Sequence, residues 1–103
     1  MITYLVDDMN FALKRLADLR NLLMRMEQDF GIGDLSYMET MLLYAAAQMA
    51  DGDKEVSLTE LQGHPMTAGM SRSTFFRALR HLIELGYIKK TGPEKRAGYV
   101  ITL

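Results

Sequence analysis

The first thirty residues contain an apolar repeat whose steps alternate between three and four residues. Between Ile2 and Phe30 the chain has no proline or glycine. The repeat consists of Ile2, Leu5, Met9, Ala12, Leu16, Leu19, Leu23, Met26 and Phe30. This spacing places the side chains on one stripe of a helix, and four consecutive heptads make pairing in a coiled coil a reasonable inference. The sequence therefore predicts one long helix over residues 1 to 30.

Two interpretations of this stripe stay open. Val6, Leu13 and Leu22 widen it, and a widened stripe is also typical of a helix that packs within its own domain. We favour a helix shared between two copies of the chain. The residues expected in the dimer contact are Ile2, Leu5, Met9, Leu16, Leu19, Leu23 and Met26.

Residues 34 to 103 are predicted to form a second unit of three helices and a hairpin. Gly31 and Gly33 should end the first helix, because glycine is common just past a helix C-terminus. Ser57 and Glu60 have the spacing of a capping box. The expected elements are helices over residues 37 to 50, 58 to 62 and 72 to 85, and a hairpin over residues 87 to 103. The expected fold class is mainly α with a small β-hairpin (α+β), preceded by a long N-terminal helix.

The composition excludes several kinds of chemistry. The chain has no cysteine, so disulfides, thiolate zinc sites and cysteine nucleophiles are ruled out. His64 and His81 have no carboxylate at ligand spacing, and no catalytic or phosphate-loop motif is present, so we predict no metal, no cofactor and no enzyme activity. The longest apolar run, Met41 to Ala47, is far below the roughly twenty residues of a membrane span. A cytoplasmic location is expected.

The net charge of -1 conceals an asymmetry between the two parts of the chain. Residues 1 to 60 contain five basic and eleven acidic residues, which gives -6. Residues 61 to 103 contain seven basic and two acidic residues, which gives +5. Such an asymmetry indicates contact with a nucleic acid or a membrane surface.

The helix over residues 72 to 85 has an apolar side and a cationic side. At 100° per residue, the apolar side contains Phe75, Ala78, Leu79, Leu82 and Ile83, and the opposite side contains Ser73, Arg77, Arg80 and Glu84. The major groove of DNA accepts a helix, and a guanidinium group can bind two guanine acceptors at once. A solvated surface is the alternative interpretation of two arginines alone. The neighbouring cations of the hairpin favour DNA.

A family resemblance rests on two stretches of this second unit. They are Ser71-x-x-Thr74-Phe75-x-Arg77-x-Leu79-x-x-Leu82-x-x-x-Gly86-Tyr87-Ile88, and Glu94-x-Arg96 followed by Tyr99-Val100-Ile101-Thr102-Leu103. Residues 35 to 103 thus resemble the winged helix-turn-helix of MarR-type regulators. The resemblance implies that Arg77 lies on the recognition helix and that Arg96 enters the minor groove from the wing. The residues expected at DNA are Ser71, Arg72, Ser73, Thr74, Phe76, Arg77, Arg80, His81, Lys89, Lys90, Lys95 and Arg96.

Three departures from the family pattern change what the resemblance implies. The connection between Leu61 and Ser71 is longer than the family's usual turn. Phe76 replaces a residue that is more often small and polar, and it is expected either in the core or against a thymine methyl group. The sequence contains no counterpart of the family's C-terminal dimerisation helices. The first helix therefore becomes the expected dimerisation element, and no small-molecule effector is predicted.

We therefore expect a homodimeric, sequence-specific double-stranded DNA-binding protein that associates with the nucleoid and acts as a bacterial transcriptional regulator. Two alternatives stay open. One is a winged-helix adaptor that binds an acidic protein, and the other is a plasmid or phage replication initiator.

Overall fold

The computed structural model describes residues 2 to 50, 54 to 93 and 97 to 102, with side chains from residue 8 onward. The elements are α1 (Ile2–Asp29), α2 (Tyr37–Met49), α3 (Leu58–Gly63), α4 (Arg72–Glu84), β1 (Ile88–Lys90) and β2 (Tyr99–Ile101). The two strands pair antiparallel, which confirms the expected mainly helical α+β fold class with a hairpin. Among the helices of the described ranges, none has the length and apolar character that a membrane span requires. The chain divides into two compact units, Met1–Asp34 and Leu35–Leu103.

The first unit consists of α1 and the turn that ends it. Gly31 has a φ of 79°, a backbone conformation that glycine adopts without steric cost. Its N–H donates to the carbonyl of Gln28 at 3.1 Å, and the N–H of Ile32 donates to the carbonyl of Glu27 at 2.9 Å. This pair of hydrogen bonds is the Schellman arrangement, so the predicted end of the helix at this glycine is confirmed.

The apolar stripe of α1 is exposed over the part whose side chains are described. Met9 is 64% exposed, Leu16 and Leu19 are each 60% exposed, and Met26 is 45% exposed. Leu23 is intermediate. The side chains of Ile2 and Leu5, which also belong to the predicted dimer contact, lie outside the described residues. Most of the stripe is thus available for a partner.

The second unit has one core to which all of its helices and both strands contribute. The largest fully buried side chains are Leu42 of α2, Leu61 of α3, Leu82 of α4 and Ile88 of β1. Helix α2 begins at a capping box in which Ser36 Oγ accepts from the Glu39 N–H at 3.2 Å, and Glu39 Oε1 accepts from the Ser36 N–H at 2.9 Å. The predicted capping box of α3 has the same geometry. Both boxes satisfy backbone donors that the helix itself leaves unpaired.

The hairpin is extended by one residue from an earlier part of the chain. In the hairpin, Ile88 is opposite Ile101 and Lys90 is opposite Tyr99. Val56 forms an antiparallel bridge with Tyr99, through N–H to carbonyl bonds of 2.9 and 2.8 Å. The segment before α3 therefore lies along the outer edge of β2.

The long connection between α3 and α4 is an ordered, hydrogen-bonded turn. Thr67 is only 2% exposed, and its hydroxyl donates to the carbonyl of Leu61 at the end of α3. His64 Nδ1 accepts from the N–H of Met66 at 3.0 Å, so a neutral ring carries its proton on Nε2 and donates to Gln48 Oε1 at 2.8 Å. The residues that make this turn longer than the family pattern thus connect α3 to α2.

Candidate nucleic-acid interface

Helix α4 separates a buried side from an exposed side. Its buried residues are Phe75, Ala78, Leu79 and Leu82, and its exposed residues include Ser73, Arg77, Arg80 and Glu84. Ile83, which the periodicity placed on the apolar side, is 37% exposed because it lies at the border of that side. The apolar residues fix the rotation of the helix, and that rotation points both arginines away from the core. We call Ser73, Arg77 and Arg80 the presenting face.

The arginines of the presenting face have no acidic partner within the part of the chain that the structure describes. The ion pair found there joins His81 to Glu39, and it involves neither Arg77 nor Arg80. Glu84 lies at the C-terminal end of the same exposed side. Both guanidinium groups are therefore available to an external acceptor.

Phe76 occupies a position between core and surface. Its ring meets Phe75 edge-on, with the ring centroids 5.4 Å apart and an interplanar angle of 89°. The guanidinium carbon of Arg72 lies 5.4 Å from the Phe76 ring centroid, a cation–π contact. Phe76 is half-buried, so it supports Arg72 at the start of α4 while part of its ring stays accessible.

The N-terminus of α4 is capped by a hydroxyl group. Ser71 Oγ accepts from the Thr74 N–H at 3.2 Å and donates to Thr74 Oγ1 at 2.8 Å. Ser73 Oγ lies 3.3 Å from Ser71 Oγ. The Ser71 hydroxyl is therefore occupied by the cap. The backbone N–H groups of Arg72 and Ser73, in the first turn, have no partner within the helix, and groups of this kind are suited to binding an anion.

His81 connects α4 to α2 on the flank of the presenting face. Its Nδ1 contacts Glu39 Oε2, and the side chains are 47% and 13% exposed. Burial raises the pKa of Glu39, but the hydrogen bonds from Ser36 and the contact with His81 outweigh it and hold that pKa below the usual 4.5. The predicted DNA residue His81 is thus engaged with a carboxylate that also caps α2. This contact joins α4 to α2 beside the presenting face.

The hairpin cations are distributed over more than one surface. Lys89 is exposed and Lys90 is half-buried, and consecutive residues of a strand point to opposite faces. Lys90 shares the face of buried Ile88, so Lys89 is the more exposed of these two lysines. Lys95 and Arg96, predicted at the wing tip, lie outside the described residues.

Surface cavities adjoin α4 within the described part of the chain. One of about 230 Å³ lies against its N-terminus and is lined by Gln62, Thr67, Ala68, Met70, Arg72 and Phe75. Another of about 250 Å³ is lined by Phe76, Leu79, Arg80, Ile83, Glu84 and Tyr99. Across the residues that the structure describes, no group of three or more histidines and carboxylates is close enough to hold a metal ion.

The structural roles of Glu39 and Thr67 were not predicted from the sequence. A signal for Glu39 was present, because Ser36 and Glu39 have the same Ser-x-x-Glu spacing that identified the box at Ser57. Its contact with His81 joins residues 42 positions apart and has no local signal. Thr67 is a small polar residue in a turn, where the sequence alone favours exposure.

Comparison with known proteins adds no relative to these observations. No protein-family model matches the chain, and neither does any curated protein or solved structure. Its function must therefore be inferred from the geometry of the chain itself.

Proposed function

We propose that this chain is a winged-helix, sequence-specific double-stranded DNA-binding protein that acts as a homodimeric transcriptional regulator. The observation that carries the proposal is the presenting face of α4, where Arg77 and Arg80 are exposed and have no acidic partner among the described residues. The opposite side of the same helix is buried in the core. A helix that is packed against the core on one side and exposes cations on the other is suited to binding in the major groove of DNA.

The dimensions of α4 agree with those of the major groove. Thirteen residues make a helix about 20 Å long, and the groove is about 12 Å wide and admits a helix with its side chains. Arg77 and Arg80 are three residues apart, a rise of about 4.5 Å, which is little more than one base-pair step. Each guanidinium can bind O6 and N7 of a guanine in two parallel hydrogen bonds.

The surroundings of α4 supply candidate contacts to the phosphate backbone. The helix N-terminus offers the N–H groups of Arg72 and Ser73, and such groups favour a phosphate. Lys89 on β1 adds an exposed cation. Phosphate contacts of this kind position a protein on the duplex, whereas base contacts select the sequence. We assign selection to Arg77 and Arg80 and positioning to the other groups.

The element order supports the winged-helix assignment. Helix α4 follows α3 through a turn, and the hairpin follows α4 directly. The bridge between Val56 and Tyr99 ties the segment before α3 to the start of β2, next to the loop of the hairpin. The resemblance to MarR-type regulators implies that Arg96 of the wing enters the minor groove.

The exposed stripe of α1 supports the homodimer. Contiguous exposed apolar surface marks a site of protein association, and Met9, Leu16, Leu19 and Met26 are each exposed by more than two fifths of their surface. Regulators that read the major groove as dimers bind two half-sites related by the symmetry of the protein. We therefore expect a palindromic target.

The test is selection of bound sequences from a random duplex library, followed by binding of variants to the selected site and to a scrambled duplex. Arg77→Ala should lower the ratio of the two affinities, and the difference between the two binding free energies should shrink by about 1 to 3 kcal/mol, because a bidentate base contact is lost. Lys14→Ala is the matched control, since it removes the same charge from α1. It should leave that ratio unchanged.

Lys89→Ala separates positioning from selection. Loss of a phosphate contact should weaken binding to both duplexes alike and reduce the slope of log K against log salt by about one. If the Arg77→Ala and Lys14→Ala proteins preferred the selected site over the scrambled duplex equally, Arg77 of α4 would not be a base contact. Failure to bind any duplex at low salt, together with capture of an acidic protein, would favour the adaptor alternative.

A further inference from the structure

The charged residues beside the exposed stripe indicate how the two α1 helices of the proposed dimer are oriented. The described core positions of this heptad repeat are Met9, Ala12, Leu16, Leu19, Leu23, Met26 and Phe30. Charged residues flank them on both sides. Arg15 and Asp29 lie on the flank that also contains Leu22, and Arg20 and Glu27 lie on the flank that also contains Leu13. Flanking charges of this kind determine the orientation in which helices pair.

A parallel pair in register would be unfavourable in its charges and in its packing. In that arrangement each residue of one flank meets the residue five positions later on the other helix. Arg15 would meet the partner's Arg20, and symmetry would repeat this repulsion, with no attractive pair to offset it. Ala12 would meet the partner's Ala12, which leaves a gap in the layer.

An antiparallel pair avoids both problems. Core positions then face each other in complementary sizes: Ala12 meets the partner's Phe30, Leu16 meets the partner's Met26, and Leu19 meets the partner's Leu23. A small residue opposite a large one fills a layer better than two small residues do.

The flanking charges also agree with this antiparallel alignment, because each flank then meets the same flank of the other helix. Arg15 approaches the partner's Asp29, and symmetry repeats this attraction. One repulsive pair remains, Arg20 with the partner's Arg20 at the symmetry axis. The two antiparallel helices could also be aligned one heptad further along, which would lengthen their overlap. In that alignment Asp8 would lie against the partner's Asp29, and symmetry would repeat this repulsion.

We infer that two copies of the chain pair through α1 in antiparallel orientation, with Ala12 of each copy against the partner's Phe30. The inference rests on the dimer of the proposed function and names its geometry. It concerns α1 alone, so it is tested without DNA.

The first experiment is disulfide trapping in the full-length chain, which has no cysteine of its own. Leu16→Cys and Met26→Cys proteins, one with a mass tag, are oxidised separately and as a mixture, and are then separated on a non-reducing gel. A disulfide requires Cα atoms within about 7 Å. In the inferred pair the two mutated positions meet, whereas each position lies about 15 Å along the axis from its own copy. We expect the mixed disulfide dimer to predominate in the mixture, and each variant oxidised alone to form little disulfide dimer.

Efficient trapping of each variant with itself would show a parallel pair and overturn the inference. Absence of any disulfide from the mixture would also overturn it, provided that light scattering of the reduced proteins shows a dimer. If the unmodified protein is a monomer at every concentration, both this inference and the dimer of the proposed function are wrong, while base reading by α4 is still decided by the library selection.

The second experiment changes a charge and leaves the stripe intact. Arg15→Glu should weaken an antiparallel dimer, because the new carboxylate meets the partner's Asp29. The same change should strengthen a parallel dimer, in which it meets the partner's Arg20. We expect the dissociation constant of the Arg15→Glu dimer to be higher by a factor on the order of five. It should return to the value of the unmodified protein when Asp29→Arg is added, because positions 15 and 29 then again carry opposite charges. Lys14→Glu, which makes the same charge change away from the stripe, is the control; a fall in the constant for Arg15→Glu would refute the antiparallel pair.

Discussion

Gly98 should be one of the least replaceable residues in the second unit. A Cβ atom at this position would lie 2.6 Å from Glu55 Cβ and 2.8 Å from Glu55 Oε2. The carboxylate can rotate away, but Glu55 Cβ is attached to the backbone next to Val56. That backbone is held to Tyr99 by two hydrogen bonds of 2.9 and 2.8 Å. Gly98→Ala can therefore be accommodated only if the two segments separate.

The magnitude follows from the size of the overlap. Carbon atoms in contact are normally about 3.5 to 4.0 Å apart, so the two segments must move by roughly 1 Å. Overpacking of this kind costs about 1 to 3 kcal/mol, and the strained bridge adds to it. We expect the free energy of unfolding to fall by about 2 kcal/mol. For a unit of this size the melting temperature should then fall by about 8 to 16 °C.

The assay is thermal and urea unfolding followed by circular dichroism, with Gly69→Ala as the matched control. No atom lies within 4 Å of a Cβ built at Gly69, so that variant should be within about 0.5 kcal/mol of the unmodified protein. Glu55→Gly removes the opposing Cβ, and it should recover part of the loss when combined with Gly98→Ala. If the two alanine variants were equally stable, the close approach of Gly98 to Glu55 would be refuted.

Three further changes test other parts of the fold. Leu82→Ala, at a fully buried position, should lower the free energy of unfolding by about 2 to 5 kcal/mol in urea titrations, and a loss under 1 kcal/mol would contradict its central place. Ser57→Ala removes the α3 cap and should cost about 0.5 to 2 kcal/mol, whereas Ser73→Ala, in the first turn of α4, should cost less. Because the pKa of Glu39 is lowered in the folded state, its stabilising contribution is complete above the usual 4.5 and is lost as the pH falls through the folded value. Glu39→Gln should therefore be less stable than the unmodified protein at about pH 7, and the difference should shrink at about pH 3; a difference that does not depend on pH would contradict the lowered pKa.

Elements with a local signal could be predicted from the sequence. The end of α1 at Gly31 follows from the need for a positive φ, and the start of α3 follows from the spacing of Ser57 and Glu60. The two sides of α4 follow from its periodicity. Each of these features depends on residues that are close together in the sequence, so the local pattern is enough to specify them.

Features that join distant segments could not be predicted. The bridge between Val56 and Tyr99 and the contact between Glu39 and His81 each link residues more than forty positions apart. Nothing near Val56 indicates which strand it will meet. The candidate site shows the same division: the exposure of Arg77 was predictable, whereas the engagement of His81 was not, because its partner is on another helix.

The placement of acidic residues explains how a chain with net charge -1 can present a cationic helix. Glu39 and Glu60 each accept a hydrogen bond from the backbone of an N-cap serine, at helix ends where the dipole also favours negative charge. The second carboxylate oxygen of Glu39, Oε2, contacts His81 Nδ1 at the flank of α4. Among the described residues, neither carboxylate pairs with Arg77 or Arg80. The position of the charges, rather than their total, therefore allows both arginines to stay exposed on the presenting face.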